Sequence, residues 1–263
     1  MTAAVSPWGQ TAIPLREARL WQVGPLHFHV ARAPWEWSFS WWRDGEWLSP
    51  SLRVAEVASL QPPNAAGLES RRFAFGETAD PLTLTAALGD RAFVATPEVP
   101  FFVLPSESIR AYVSVPLWVQ ARVGKDARLA LEVPVMRPQD TWFGSPTAGT
   151  LCYASRTAMR RELDIFQPLA HRALVTVEVV NRGDTPLTVQ RLRLPVPELG
   201  LFQDATGQLR TPPVRFTRER EELAVVEVGQ VPGDWKRLAA PRTPPSGARG
   251  VIQAFNAYFT RGQ

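Results

Sequence analysis

WEWSFSWWRDGEW, residues 35–47, carries five of the ten tryptophans of the chain. Its apolar residues recur at every second position. Trp35, Trp37, Phe39 and Trp41 share one face of an extended strand, and Glu36, Ser38, Ser40 and Trp42 share the other. A row of four large rings left in water would exceed the apolar patch a monomer normally exposes. The pattern therefore predicts burial beneath a second sheet. Asp44-Gly45 then supplies the two residues of a tight hairpin turn. Counting outward from it, Arg43 pairs with Glu46, Trp42 faces Trp47 and Trp41 faces Leu48. On this reading Trp42 and Trp47 sit together on the polar face. They either brace the hairpin or offer indole planes to a sugar ring or a protein partner.

The same alternation runs through the chain. Leu26, Phe28 and Val30 alternate with His27 and His29, and short runs follow at 71–76, 82–88 and 91–97. SIRAYVSVPLWVQARV, 108–123, is a long apolar run with Pro116 inside it, which marks an edge, a bulge or a crossing between sheets. Residues 127–135 read as another strand. Residues 171–197 read as a hairpin about the turn Asn181-Arg182-Gly183-Asp184, and 210–229 as a second hairpin with a charged tip. A short helix fits 156–163. The 25 prolines, spread throughout, argue for short strands and against long helices.

Composition narrows the function classes. Hydrophobic residues make up 45% and charged residues 21%, as in an ordinary globular protein. The net charge is +4, and among the 29 basic residues only Lys125 and Lys236 are lysines. The arginines are interspersed with acids rather than clustered, which argues against nucleic-acid binding. Cys152 is the only cysteine, so neither an internal disulfide nor a cysteine-based zinc site can form. The first residues carry neither a basic n-region nor an apolar run, and no stretch approaches a membrane span. The expected location is the cytoplasm.

Candidate chemistry is sparse, and no catalytic residue or cofactor follows from it. His27 and His29 form an H-x-H on one strand face, a spacing that can place two imidazoles on one metal. QDTWFGSPTAGTLCYAS, 139–155, reads as a loop. Asp140 and Ser145 form its rim, Trp142 and Phe143 anchor it, and its glycines set turns. It either receives a ligand or pins one sheet to another. Cys152 has no base beside it in sequence and reads as a small buried hydrophobe. Beyond a Pro/Gly-rich linker, Phe255 and Tyr258 lie toward one side of a short helical or extended tail, which docks on its own domain or on a partner.

Three blocks together resemble a known family: SIRAYVSVPLWVQ, then QDTWFGSPTAGTLCYA, then VVNRGDTPLTVQRLRLPVPELGLFQDATGQLRTPPVRF. They are similar to a prokaryotic family catalogued as a domain of unknown function, number 432, found in archaea and bacteria. The resemblance covers roughly residues 70–230 and leaves the tryptophan stretch outside. It implies that the chain is one family unit rather than a fragment of an enzyme. It brings no activity, substrate or site residue with it.

The expected protein is all-β, with two packed sandwich-like modules of mainly antiparallel strands. Residues 1–165 form a Trp-rich module, 166–238 a smaller one, and 239–263 a linker with an apolar tail. The expected role is a non-enzymatic accessory module that binds another protein, by strand addition at a sheet edge or by tail docking. Two alternatives stand beside it: a carbohydrate-binding module using Trp42 and Trp47, and a metal-dependent enzyme built on His27 and His29.

Overall fold

The computed structural model describes residues 6–163, 168–220, 223–244 and 251–255. Among them there is no α-helix, only short strands and one 3-10 turn at Val196–Glu198. The first strands are β1 (Gly9–Thr11), β2 (Glu17–Val23), β3 (Leu26–Ala33), β4 (Glu36–Arg43), β5 (Leu52–Ala58), β6 (Glu69–Ala74) and β7 (Leu82–Ala87). There follow β8 (Phe93–Pro97), β9 (Phe101–Val103), β10 (Ser108–Pro116), β11 (Trp118–Val123) and β12 (Arg128–Pro134). Next come β13 (Gln139–Phe143), β14 (Thr150–Met159), β15 (Arg172–Asn181), β16 (Leu187–Val189) and β17 (Leu192–Leu194). The last are β18 (Leu201–Gln203), β19 (Leu209–Arg210), β20 (Val214–Arg220), β21 (Leu223–Val228), β22 (Lys236–Ala239) and β23 (Val251–Gln253). The fold is all-β, and most strand pairs are antiparallel.

The chain packs into two compact units, and each is discontinuous in sequence. The first takes the described residues up to Ala87, then Pro116–Arg137 and Leu169–His171. The second takes Leu88–Val115, the described part of Pro138–Pro168, and the described residues from Arg172 onward. The 1–165, 166–238 and 239–263 division follows chain order, whereas these units follow packing, and the two run differently.

In the first unit a five-stranded sheet, β5-β2-β3-β4-β6, and a four-stranded sheet, β1-β7-β11-β12, share one core. The alternation of β4 places Trp37, Phe39 and Trp41 in that core, against Trp21 and Phe28 from its own sheet and Leu82, Leu84 and Val119 from the other. Trp35 does not join them. With Pro34 it forms the turn between β3 and β4, where Ala33 pairs with Glu36, and it is 68% exposed. Arg32, beside the core, is buried and held from several sides. It donates to Thr78 Oγ1, Thr78 O and Ile13 O, forms an ion pair with Asp80, and lies over the Trp37 ring.

The second unit holds an eight-stranded sheet, a four-stranded sheet in the order β13-β14-β8-β17, and the ribbon β16-β9. In the larger sheet β15 pairs in parallel with β20, and β20 pairs antiparallel with β21. Val175, Val177 and Val179 of β15 are buried on one face, with Phe216 of β20. Pro116 does mark a crossing between sheets: β10 pairs with β15, whereas β11 lies between β7 and β12.

Several local expectations are corrected. Asp44-Gly45 is not a hairpin turn, because β4 already has β3 on one edge and β6 on the other; after it the chain travels to β5, which pairs with β2. The 171–197 hairpin does not form either. The chain turns after Asn181, but β16 pairs with β9 and β17 with β8. Residues 139–155 are not a loop: β13 and β14 pair antiparallel from Gln139↔Ala154 to Phe143↔Thr150. The same strand continues to Met159 where a helix was expected from 156. The 210–229 hairpin forms as expected, as β20 and β21.

The tail is extended at Val251–Gln253 and docks on its own unit. There β23 pairs with β21, Phe255 bridges to Leu192, and the Phe255 ring packs against Phe216 with centroids 6.4 Å apart. Phe255 is buried core and Tyr258 lies outside the described residues.

Candidate functional site

The two histidines of the H-x-H sit side by side on β3 but engage different partners. His27 Nε2 is 2.7 Å from Asp44 Oδ1, and its ring stacks on Trp42 at 4.9 Å. His29 Nε2 is 2.7 Å from Ser59 O, and its Nδ1 is buried without a hydrogen-bond partner among the described residues. Burial pushes the His29 imidazole below its ordinary pKa, and the bond to Ser59 O opposes that shift. Among the described residues, no group of three or more His, Cys, Asp or Glu side chains is placed where it could hold a metal ion.

Trp42 faces His27 across β3, not Trp47. It is only 6% exposed, so its plane is already covered. Trp47 is half-buried after the end of β4, and its carbonyl lies 3.1 Å from His171 Nε2. The two indoles do not form the opposed pair expected from the sequence.

The remaining two residues, Asp140 and Trp142, come together on β13, the outermost strand of its sheet. Alternation puts both on one face, with their cross-strand partners Tyr153 and Leu151 on β14. Thr141 and Phe143 point the other way, where Phe143 packs with Cys152, Ala92 and Val94. The Trp142 indole is held rigidly. Its Nε1–H donates to Ser145 O at 2.8 Å, and Ala148 N–H donates to Ser145 Oγ at 3.1 Å, closing the turn beneath it. Gly149 lies against the ring: a Cβ there would come within 2.3 Å of Trp142 Nε1. From the Phe143 side, where its guanidinium lies over that ring at 5.4 Å, Arg191 Nη2 donates to Trp142 O at 3.0 Å and to Thr141 Oγ1 at 3.1 Å. Even so, Trp142 is 46% exposed and its partner Leu151 is 41% exposed.

Charge surrounds this apolar pair on one side. Arg91 Nη1 is 3.1 Å from Asp140 Oδ1, and its guanidinium lies over the Tyr153 ring at 5.1 Å. Tyr153 Oη donates to Asp90 Oδ1 at 2.8 Å. Burial first, and then the bond to Asp90, push the Tyr153 phenol up to about 12. It is a structural donor at neutral pH, not a proton shuttle. Burial likewise raises the Cys152 thiol, with Arg193 opposing, and the group stays protonated. The arrangement presents a fixed indole and an exposed leucine beside a rim of paired charges.

Leu151, Asp90, Arg91 and Tyr153 were not singled out from the sequence. The alternation of LCYA held a usable signal, but only the register of β13 on β14 shows that Leu151 faces Trp142. Asp90 and Arg91 precede a strand paired in parallel with β14, and nothing local indicates that pairing.

The family model described as Protein of unknown function (DUF432) matches residues 7–258, so the chain belongs to that family. The match takes in the tryptophan stretch at 35–47 as well as the three blocks quoted above. No curated protein and no solved structure matches the chain.

Proposed function

We propose that this member of the DUF432 family is a non-enzymatic accessory protein of the cytoplasm that binds another protein through Trp142 and Leu151. The observation that carries this reading is the cross-strand pair itself. Both side chains are large, apolar and nearly half exposed, and the indole is locked by Ser145 and Gly149. A rigid aromatic side chain loses little freedom on binding, and such residues dominate interface energetics. Asp140, Arg91 and Asp90 then supply a polar rim. Arg191 already caps the Trp142 carbonyl, so the partner packs across the face of the hairpin rather than adding a strand to its edge. A single buried thiol suits a reducing compartment. No helix among the described residues is long and apolar enough to cross a membrane.

A photo-crosslinking residue at Leu151, introduced into the full chain in its host, tests the reading directly. We expect it to capture one protein that a crosslinker at exposed Val57 does not. Binding of that purified protein should weaken about thirtyfold, or ~2 kcal/mol, in Trp142→Ala and in Leu151→Asp. Unchanged binding in both variants, with melting temperatures preserved, removes the proposal.

A further inference from the structure

A second feature of the larger unit points to a small ligand, independently of the hairpin. The face of the eight-stranded sheet opposite Val175, Val177 and Val179 carries a trough of about 350 Å³. That volume falls in the range of small-molecule sites. Charges of alternating sign cross it, one from each of four strands. Glu178 on β15 is in register with Arg215 on β20, and Arg215 with Glu227 on β21. Asn181 N–H donates to Glu107 O at 3.0 Å, which joins β15 to β10. Three residues back along one strand and three forward along the other lie Glu178 and Arg110, both on the trough.

The row is not internally neutralised. Arg215 Nε donates to Glu178 at 2.9 Å, which pairs the two central groups. Arg110 at one end and Glu227 at the other have no ion-pair partner among the described residues, although both line the same depression. Thr176 adds a hydroxyl to the floor. Gly229 and Pro213 close one wall tightly: a Cβ at Gly229 would lie 2.8 Å from Pro213 Cγ.

We propose that this trough binds a short, extended peptide with free termini, its carboxylate on Arg110 and its ammonium on Glu227. A guanidinium takes a carboxylate through two parallel N–H donors, and a carboxylate takes an ammonium through charge-assisted bonds. The length follows from the sheet. Neighbouring strands lie about 4.8 Å apart, so the two free charges stand roughly 14 Å apart across three spacings. An extended chain advances at most ~3.3–3.6 Å per residue, so four residues reach between them. The central Glu178–Arg215 pair faces the middle of such a ligand, where peptide N–H and C=O groups find an acceptor and a donor.

Calorimetric titration of the full-length protein with tetraalanine tests the assignment, with N-acetylated and C-amidated tetraalanine as controls. Free tetraalanine should bind saturably, and either cap should weaken it at least tenfold. In Glu227→Gln the penalty for acetylation should vanish while that for amidation remains; Arg110→Met should show the reverse. Both side chains are exposed, and circular dichroism verifies that the variants fold. Absence of saturable binding, equal affinity for the capped peptides, or variants that bind as the parent does would each overturn the proposal.

Discussion

His29 shows how a single side chain can be read two ways. In sequence it is half of a metal-binding spacing; in the fold it is a 2% exposed imidazole held by Ser59 O. Its depressed pKa has a consequence for stability. Because burial favours the neutral form, the unfolded chain binds the proton more readily than the folded one. The stabilising contribution is therefore fully present above the unfolded value near 6.5 and is lost as pH falls through the lower folded value. Denaturant titrations between pH 7.5 and 5 should show a decline that is shallower in His29→Leu. Equal slopes in the two proteins would contradict the assignment. Phe255 is the second such case. As a core residue against Phe216, it should cost about 3–5 kcal/mol on replacement by alanine, measurable as a drop in unfolding free energy.

At the scale of elements, turns decide more than strands do. Gly24 lies in the tight turn between β2 and β3 with φ of 60°, a left-handed conformation that favours glycine. It also lies against a buried ring: a Cβ at this position would be 2.5 Å from His171 Nδ1. Gly24→Ala should destabilise the protein by on the order of 2 kcal/mol, seen as a lower denaturation midpoint. Gly45 at φ of 77°, with open space around it, has only the backbone cost and should lose less on the same change. This contrast also explains what could be read in advance. Alternation reported which residues of β3, β4, β15 and β20 share a face, because period two is a property of the strand itself. Partner choice is not. Asp44-Gly45 has hairpin chemistry, yet both edges of β4 were taken by β3 and β6. Asn181–Asp184 has it too, yet the strands beyond go to β9 and β8. The hairpin of the candidate site was missed for the opposite reason. Its glycines and proline look like loop composition, whereas one of them, Gly149, only makes room for Trp142.

For the molecule as a whole, the interleaving of the two units governs how it can be dissected. The first unit needs β11, β12 and Leu169–His171 in addition to its N-terminal strands, and the second needs β8, β9 and β10 from the first half. No single cut therefore yields two complete cores. Separately expressed 166–263, which lacks β8, β9, β10, β13 and β14, should not unfold cooperatively, whereas the intact chain should melt cooperatively. Dispersed amide spectra from that fragment alone would show that an interrupted core suffices. The order of synthesis follows from the same feature. A ribosome delivers roughly 5–20 residues per second, N-terminus first. When β7 emerges, its neighbour β11 has not yet been made, and the segment that comes next belongs to the other unit. For those seconds β7 presents an unpaired edge to whatever is nearby, and the core of the first unit cannot close until β11 and β12 have left the exit tunnel. Slowing translation between 88 and 118 should therefore lengthen that exposure and lower the soluble yield, read as the soluble fraction of the expressed chain.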